Sequence, residues 1–200
     1  FTGTYEAAGA ELRRVLDQSV QKRLIADVPL GAFLSGGIDS SVIVALAAKH
    51  TSHLNTFSIG FKDEPAYDET RFAELVANKF KTNHTVFSLS NDDLYNNLFS
   101  VLDYIDEPFA DSSALAVNIL SMHTRKHVKV ALSGDGADEL FGGYNKHRAE
   151  WVLRNRPLFT NAVTAVSPFL RPFAGKRGNF LGNKVRQLHR FAAGAALTPS

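Results

Sequence analysis

The sequence predicts an α/β fold: a parallel sheet flanked by helices, followed by a mainly helical C-terminal segment. Three observations carry that prediction. Short β-rich runs alternate with longer segments of helical periodicity, the pattern of βαβ units and a mostly parallel sheet. Two glycine-rich stretches, Ser35-Gly36-Gly37 and Ser133-Gly134-Asp135-Gly136, each directly follow a predicted strand. Of the 200 residues, 44% are hydrophobic, enough for one sizeable domain or for one domain plus part of another.

Residues 5–24 read as a helix with Leu12, Val15, Leu16, Val20 and Leu24 on one apolar stripe. Pro29 leads into a first strand, Leu30 to Leu34, short and apolar as buried strands are. The next helix carries the apolar run Val42 to Ala48, and Asp39 or Ser40 can cap its start. Thr56 to Phe61 is a second strand, rich in β-branched and aromatic residues. After a loop over 62–67 a helix starts near Asp68, with Phe72, Leu75, Val76, Lys79 and Phe80 at helical spacing. His84 to Leu89 is the third strand. Ser90-Asn91-Asp92-Asp93 opens a helix with the stripe Leu94, Leu98, Val101, Leu102 and Ile105, which Pro108 ends. Ser112 to Lys126 is a further helix. Its part from Ala114 to Met122 is apolar nearly all round and is expected to be buried. Val128 to Leu132 is the fourth strand, and a helix through Trp151 and Leu153 follows the second glycine stretch. Beyond Arg156, Pro157, Pro168 and Pro172 break the pattern, and 175–182 reads as loop.

Composition excludes several chemistries. There is no cysteine, so disulfides, zinc–thiolate sites and thiol nucleophiles are ruled out for this chain, in keeping with a cytoplasmic setting. No apolar run approaches a membrane span, so no membrane partner is expected. Phe1-Thr2-Gly3 is no secretory signal and looks like a cut from a longer chain. The net charge of +2 hides an asymmetry: residues 1–150 carry 14 basic and 20 acidic side chains, residues 151–200 eight basic and none acidic. Such a basic tail suits a polyanion such as RNA, or an acidic partner domain.

The turn Ser35-Gly36-Gly37-Ile38-Asp39-Ser40-Ser41 between strand and helix holds the first candidate chemistry. Glycines let a ligand approach the backbone, and N–H groups beside a helix N-terminus favour phosphate. The glycine spacing and the lack of a following lysine exclude a Walker A loop. In parallel sheets, ligands sit at the carboxyl ends of strands near the switch in strand order. Both glycine stretches can therefore converge on one site.

Ser-Gly-Gly-x-Asp-Ser resembles the loop of the ATP pyrophosphatases, the PP-loop, which implies an adenine nucleotide alpha hydrolase-like sheet. The segment Leu132 to Tyr144 narrows the resemblance to glutamine-dependent asparagine synthetases, as do Asp27 to Gly31, Tyr67-Asp68-Glu69 and Asp106 to Asp111. The resemblance implies that 1–156 is the nucleotide half of the synthetase domain and 157–200 its basic, truncated continuation. It implies a reaction in which the aspartate β-carboxylate attacks the α-phosphorus of ATP, pyrophosphate leaves, and ammonia displaces AMP to give asparagine. Ser35, Gly36, Gly37, Ser40 and Ser41 would hold the phosphates. Leu34, Ile59, Ser133 and Gly134 would line the adenosine pocket, although Leu34 and Ile59 equally read as plain core.

Asp39 would bind magnesium through a hard oxygen ligand, a role compatible with capping the helix, and Asp138 would share that ion. A helix cap is the other role open to Asp138. Asp135 stands where many family members carry glutamate and would handle a proton of the incoming amine. The implied partners are ATP, aspartate and an N-terminal glutaminase domain of the parent chain, with a homodimer allowed. Three other readings stay open. One is a β-lactam synthetase-like enzyme or other amidotransferase with a different carboxylate, although Asp135, where β-lactam synthetases carry tyrosine, favours asparagine. Another is an RNA-acting PP-loop enzyme, disfavoured because sulfur-transferring versions usually need cysteines. The last is a truncated nucleotide-binding domain without activity.

Overall fold

The structure is a computed structural model and describes residues 2–107, 111–170 and 180–196. The chain forms two compact units, Phe1–Asp135 and Gly136–Ser200. In the first unit α1 (Tyr5–Arg23) precedes β1 (Leu30–Phe33), α2 (Ile38–His50), β2 (Asn55–Phe61), α3 (Thr70–Phe80), β3 (Asn83–Leu89), α4 (Asn91–Leu102), α5 (Ser113–Thr124) and β4 (Val130–Leu132). The four strands form one sheet in the order β3-β2-β1-β4, with every neighbouring pair parallel. The registers pair Phe33 with Phe57, Ala32 with Leu132, and Thr56 with His84. From β1 the chain first adds strands on one side, then returns to add β4 on the other, so the strand order switches at β1 and β4.

Alternation along β1 builds two cores. Ala32 and Leu34 join Val20, Val44, Ala47, Leu54, Ala73 and Ala77 on one face. Phe33 turns to the other face, where Phe57, Leu120 and Val128 are buried and Ile59 and Phe87 pack against them. Each such large side chain removed from water contributes about 1.5–3 kcal/mol before entropy is counted. α1 is capped by Thr4, whose hydroxyl accepts from Ala7 N–H at 3.2 Å. α4 starts with a full capping box between Ser90 and Asp93.

Several expectations need correction. Neither Asp39 nor Ser40 caps α2; Gly37 is the N-cap, and both side chains lie inside the first turn. α3 buries its small residues: Ala73 and Ala77 face the core, while Phe72 and Leu75 are 55% and 61% exposed. Close helix–sheet packing selects alanine there, and hydrophobicity alone pointed to the larger residues. α5 is not buried all round, since Ile119 and Leu120 are inside and Val117 and Met122 are exposed. Leu12 and Val15 of the α1 stripe are also exposed, leaving Leu16, Val20 and Leu24 in contact with the core.

The second unit is helical: α6 (Ala137–Phe141), α7 (Asn145–Asn155), α8 (Pro157–Leu170) and α9 (Phe180–Ala195). Pro157 starts α8 rather than breaking it, because the first helical position has no intrahelical N–H bond to lose. Pro168 lies inside α8, close to its end. α8 and α9 meet through the Phe159 and Phe191 rings, 6.4 Å apart, and through Ser167 Oγ and His189 Nδ1 at 2.8 Å. Residues 180–182, expected as loop, belong to α9. Pro108, Pro172 and 175–179 lie outside the described residues.

Candidate functional site

Leu34 is the last residue before the first glycine turn, and β2 holds it at both backbone groups. Its N–H donates to Phe57 C=O at 2.9 Å, and its C=O accepts from Ser58 Oγ. Its side chain is 1% exposed, inside the core, so only its backbone is available to a ligand. Ser35 N–H donates to Ser40 Oγ at 3.2 Å, and the two hydroxyl oxygens lie 3.0 Å apart. Ser35 Oγ accepts from Gly37 N–H at 3.2 Å. These bonds fasten the turn onto the first turn of α2.

The two glycines differ. Gly36 has φ +84°, and a Cβ there would stand 2.5 Å from Ala73 N and Phe72 C. Conformation and the approach of α3 both demand glycine. A Cβ on Gly37 would meet only Ser35 Oγ, at 3.2 Å, among the described residues. Gly37 thus leaves the backbone open to a ligand. Ser41 Oγ is buried without a hydrogen-bond partner among the described residues, a condition that calls for an explanation in a native fold.

The second glycine turn reaches the same place. A Cβ on Gly134 would stand 2.6 Å from Ser40 N and 2.7 Å from Asp39 C. The turns after β1 and β4 are therefore in close backbone contact at the switch in strand order. Ser133 Oγ donates to Asp135 Oδ2 at 2.9 Å and fixes that carboxylate's orientation. Asp39 is exposed at the second position of α2, where the helix dipole favours a negative charge. Ile59 lies two residues past Phe57 on β2 and is partly buried against the second core.

In the second unit, Gly136 rather than Asp138 is the N-cap of α6, without a side-chain cap bond, and Asp138 lies inside the first turn. Its carboxylate lies against Gly143, whose N–H donates to Asp138 C=O at 3.0 Å. Glu139 accepts from Tyr144 OH at 2.5 Å, which holds its carboxyl below the ordinary value.

Two residues escaped sequence reasoning: Ser58, which holds Leu34, and His84, which lies 3.3 Å from Ser58 Oγ through Nε2. The period-two placement of Thr56 and Ser58 opposite apolar Phe57 and Ile59 is the signal that points to them. Asp68 was expected at the start of α3, and its Oδ1 accepts from Thr70 N–H at 2.8 Å and Thr70 Oγ1 at 2.5 Å. Those bonds lower its carboxyl pKa.

N–H groups at a helix start, serine hydroxyls and an open glycine backbone suit an anion. Asp39 offers a hard oxygen ligand for a cation. Among the described residues no three His, Cys, Asp or Glu side chains converge, so a magnesium ion here would draw other ligands from phosphate and water.

These features define an α/β domain with its candidate site where two glycine turns meet at a strand-order switch. Residues 11–197 match the family described as asparagine synthase, and the chain belongs to that family. It is 44% identical over 144 residues to a putative glutamine-hydrolyzing asparagine synthetase of Mycobacterium bovis, covering 72% of this chain and 22% of that protein. It is 41% identical over 172 residues to a putative glutamine-hydrolyzing asparagine synthetase 2 of Methanocaldococcus jannaschii, covering 82% and 33%. With glutamine-hydrolyzing asparagine synthetase 1 of Bacillus subtilis the identity is 41% over 144 residues, covering 72% and 23%. The chain thus spans between a fifth and a third of the length of these relatives. The solved ammonia-dependent NAD synthetase of Campylobacter jejuni, in complex with nitrate, overlays with a TM-score of 0.45 at 10% identity, covering 96% of this chain and 97% of that one. No helix among the described residues is long and apolar enough to cross a membrane.

Proposed function

We propose that residues 1–156 carry the nucleotide half of an ATP-dependent asparagine synthetase, continued by 157–200. In this reading the parent protein adenylates the side-chain carboxylate of aspartate. It then amidates it with ammonia released from glutamine by an N-terminal glutaminase domain. The observation that supports it most is the packing of Gly134 on Asp39 and Ser40, in a chain of the asparagine synthase family.

The residues divide the work. Backbone N–H groups of the first turn and the hydroxyls of Ser35, Ser40 and Ser41 hold the phosphates and receive the charge that grows on the leaving pyrophosphate. The unpartnered Ser41 Oγ gains an acceptor in this way. Gly37 lets the phosphate reach the backbone. The Leu34 backbone, Ile59, Ser133 and Gly134 line the adenosine. Magnesium, with Asp39 as its carboxylate candidate in the first unit, would supply charge neutralisation on the phosphates. Asp135, oriented by Ser133, accepts a proton from the attacking amine.

Titration calorimetry with ATP and magnesium tests the reading. The chain is expected to bind, and Gly37→Val, which places a branched side chain at the open backbone, is expected to lose binding while keeping its fold. Equal affinity in the two folded proteins would sink the proposal.

A further inference from the structure

Beneath the first glycine turn, polar groups of β2, of β3 and of Thr82 just before β3 form a chain on the face that carries Thr56 and Ser58. Thr82 Oγ1 lies 2.7 Å from Thr56 Oγ1, and Thr56 Oγ1 lies 2.9 Å from His84 Nδ1. His84 Nε2 lies 3.3 Å from Ser58 Oγ, which bonds the C=O of Leu34. Proton counting gives this chain a direction. A hydroxyl has one hydrogen to donate, and a carbonyl has none. Ser58 therefore gives its hydrogen to Leu34 C=O and must accept from His84 Nε2–H. Nδ1 of the neutral imidazole is then the acceptor for the Thr56 hydroxyl, and Thr56 in turn accepts from Thr82. Burial pushes the His84 imidazole below its ordinary pKa, against the opposing pull of Glu74 on α3 and of the Thr56 backbone, in accord with a neutral ring.

The far end of the chain is the peptide unit joining Leu34 to Ser35. A peptide unit is planar, so its C=O and N–H point in fixed opposite directions. Ser58 Oγ holds the C=O of this unit, and Ser40 Oγ holds its N–H at 3.2 Å. Rotating the plane would break both bonds and shift the start of the turn. We propose that His84 is a positioning residue for the glycine turn: its Nε2–H aims the Ser58 hydroxyl at Leu34 C=O and so fixes the plane from which the turn departs. The consequence for ligand affinity rests on the nucleotide reading given above; the consequence for the turn itself does not.

Side-chain length provides the test. In His84→Gln the amide N–H stands where Nε2–H stood; in His84→Asn the amide stands nearer to the Nδ1 position and does not reach Ser58. Two readouts are taken on the full chain, with thermal unfolding confirming that each variant is folded. Without nucleotide, amide hydrogen exchange over residues 30–41 is expected to rise in His84→Asn and Ser58→Ala and to stay near wild type in His84→Gln and Ser58→Thr. With ATP and magnesium, calorimetry is expected to show about a tenfold loss of affinity in the first pair and less than about threefold in the second. Equal exchange in the Asn and Gln variants, or unchanged exchange in both His84→Asn and Ser58→Ala, would overturn the proposal. Failure of wild type to bind ATP would refute the nucleotide reading alone, and the exchange measurements would still decide the role of His84.

Discussion

Gly36 and Gly37 are neighbours under opposite constraints. Gly36 is fixed from inside, by φ +84° and by the backbone of α3 at 2.5 Å from a virtual Cβ. Gly37 is open toward a ligand. Gly36→Ala should therefore act on stability, lowering it by about 1–3 kcal/mol through the left-handed conformation and the clash together. Chemical denaturation measures this, and an unchanged midpoint would contradict the packing. His84 adds a pH dependence. Its folded pKa lies below the ordinary histidine value of 6.5 because burial disfavours the charged ring. Above that value both folded and unfolded states leave it neutral, and its contribution is intact. As pH falls through 6.5 toward the lower folded value, the unfolded state takes up the proton first and stability declines. Denaturant unfolding between neutral and mildly acid pH should show this decline in wild type, with a shallower slope in His84→Gln.

The elements place these residues. α2 starts directly after the turn, so its free N–H groups lie beside Ser35 and Gly37. β4 pairs with β1, so the turn that follows it arrives at the same helix start. α3 packs its alanine face close enough for its first turn to touch Gly36. α4 depends more on local chemistry. Ser90 Oγ accepts from Asp93 N–H at 3.2 Å, while the Ser90 N–H and hydroxyl both donate to Asp93 Oδ2, which lowers that carboxyl's pKa. Only Val101 of α4 is fully buried among its residues, so little packing backs up the cap. Ser90→Ala should cost about 1 kcal/mol, visible as a lower thermal midpoint with faster amide exchange confined mainly to 90–102.

At the scale of the whole chain, chemistry is limited by what these residues include. With no cysteine among its 200 residues, the isolated chain is expected to release no glutamate from glutamine. Asparagine formation from ammonia, aspartate and ATP is expected to be very weak, since the chain spans at most about a third of the relatives it matches. Coupled assays of both products check this, and robust turnover of either would refute it.

The strand–helix alternation, both glycine turns and the parallel sheet were legible in the sequence, because period and turn chemistry are local properties that residue types carry directly. The N-cap at Gly37, the alanine face of α3 and the helical role of Pro157 were not, because each depends on what packs against the segment. The site divides in the same way. Ser35 to Ser41 and Ser133 to Asp135 announce themselves by residue type and spacing. Their meeting through Gly134, and the line from His84 through Ser58 to Leu34, arise only when strands distant in sequence become neighbours in register. Hydrogen bonds and close backbone approaches act over a few ångströms, and only the folded sheet brings residue 58 that close to 34 and 84, and residue 134 that close to 39 and 40.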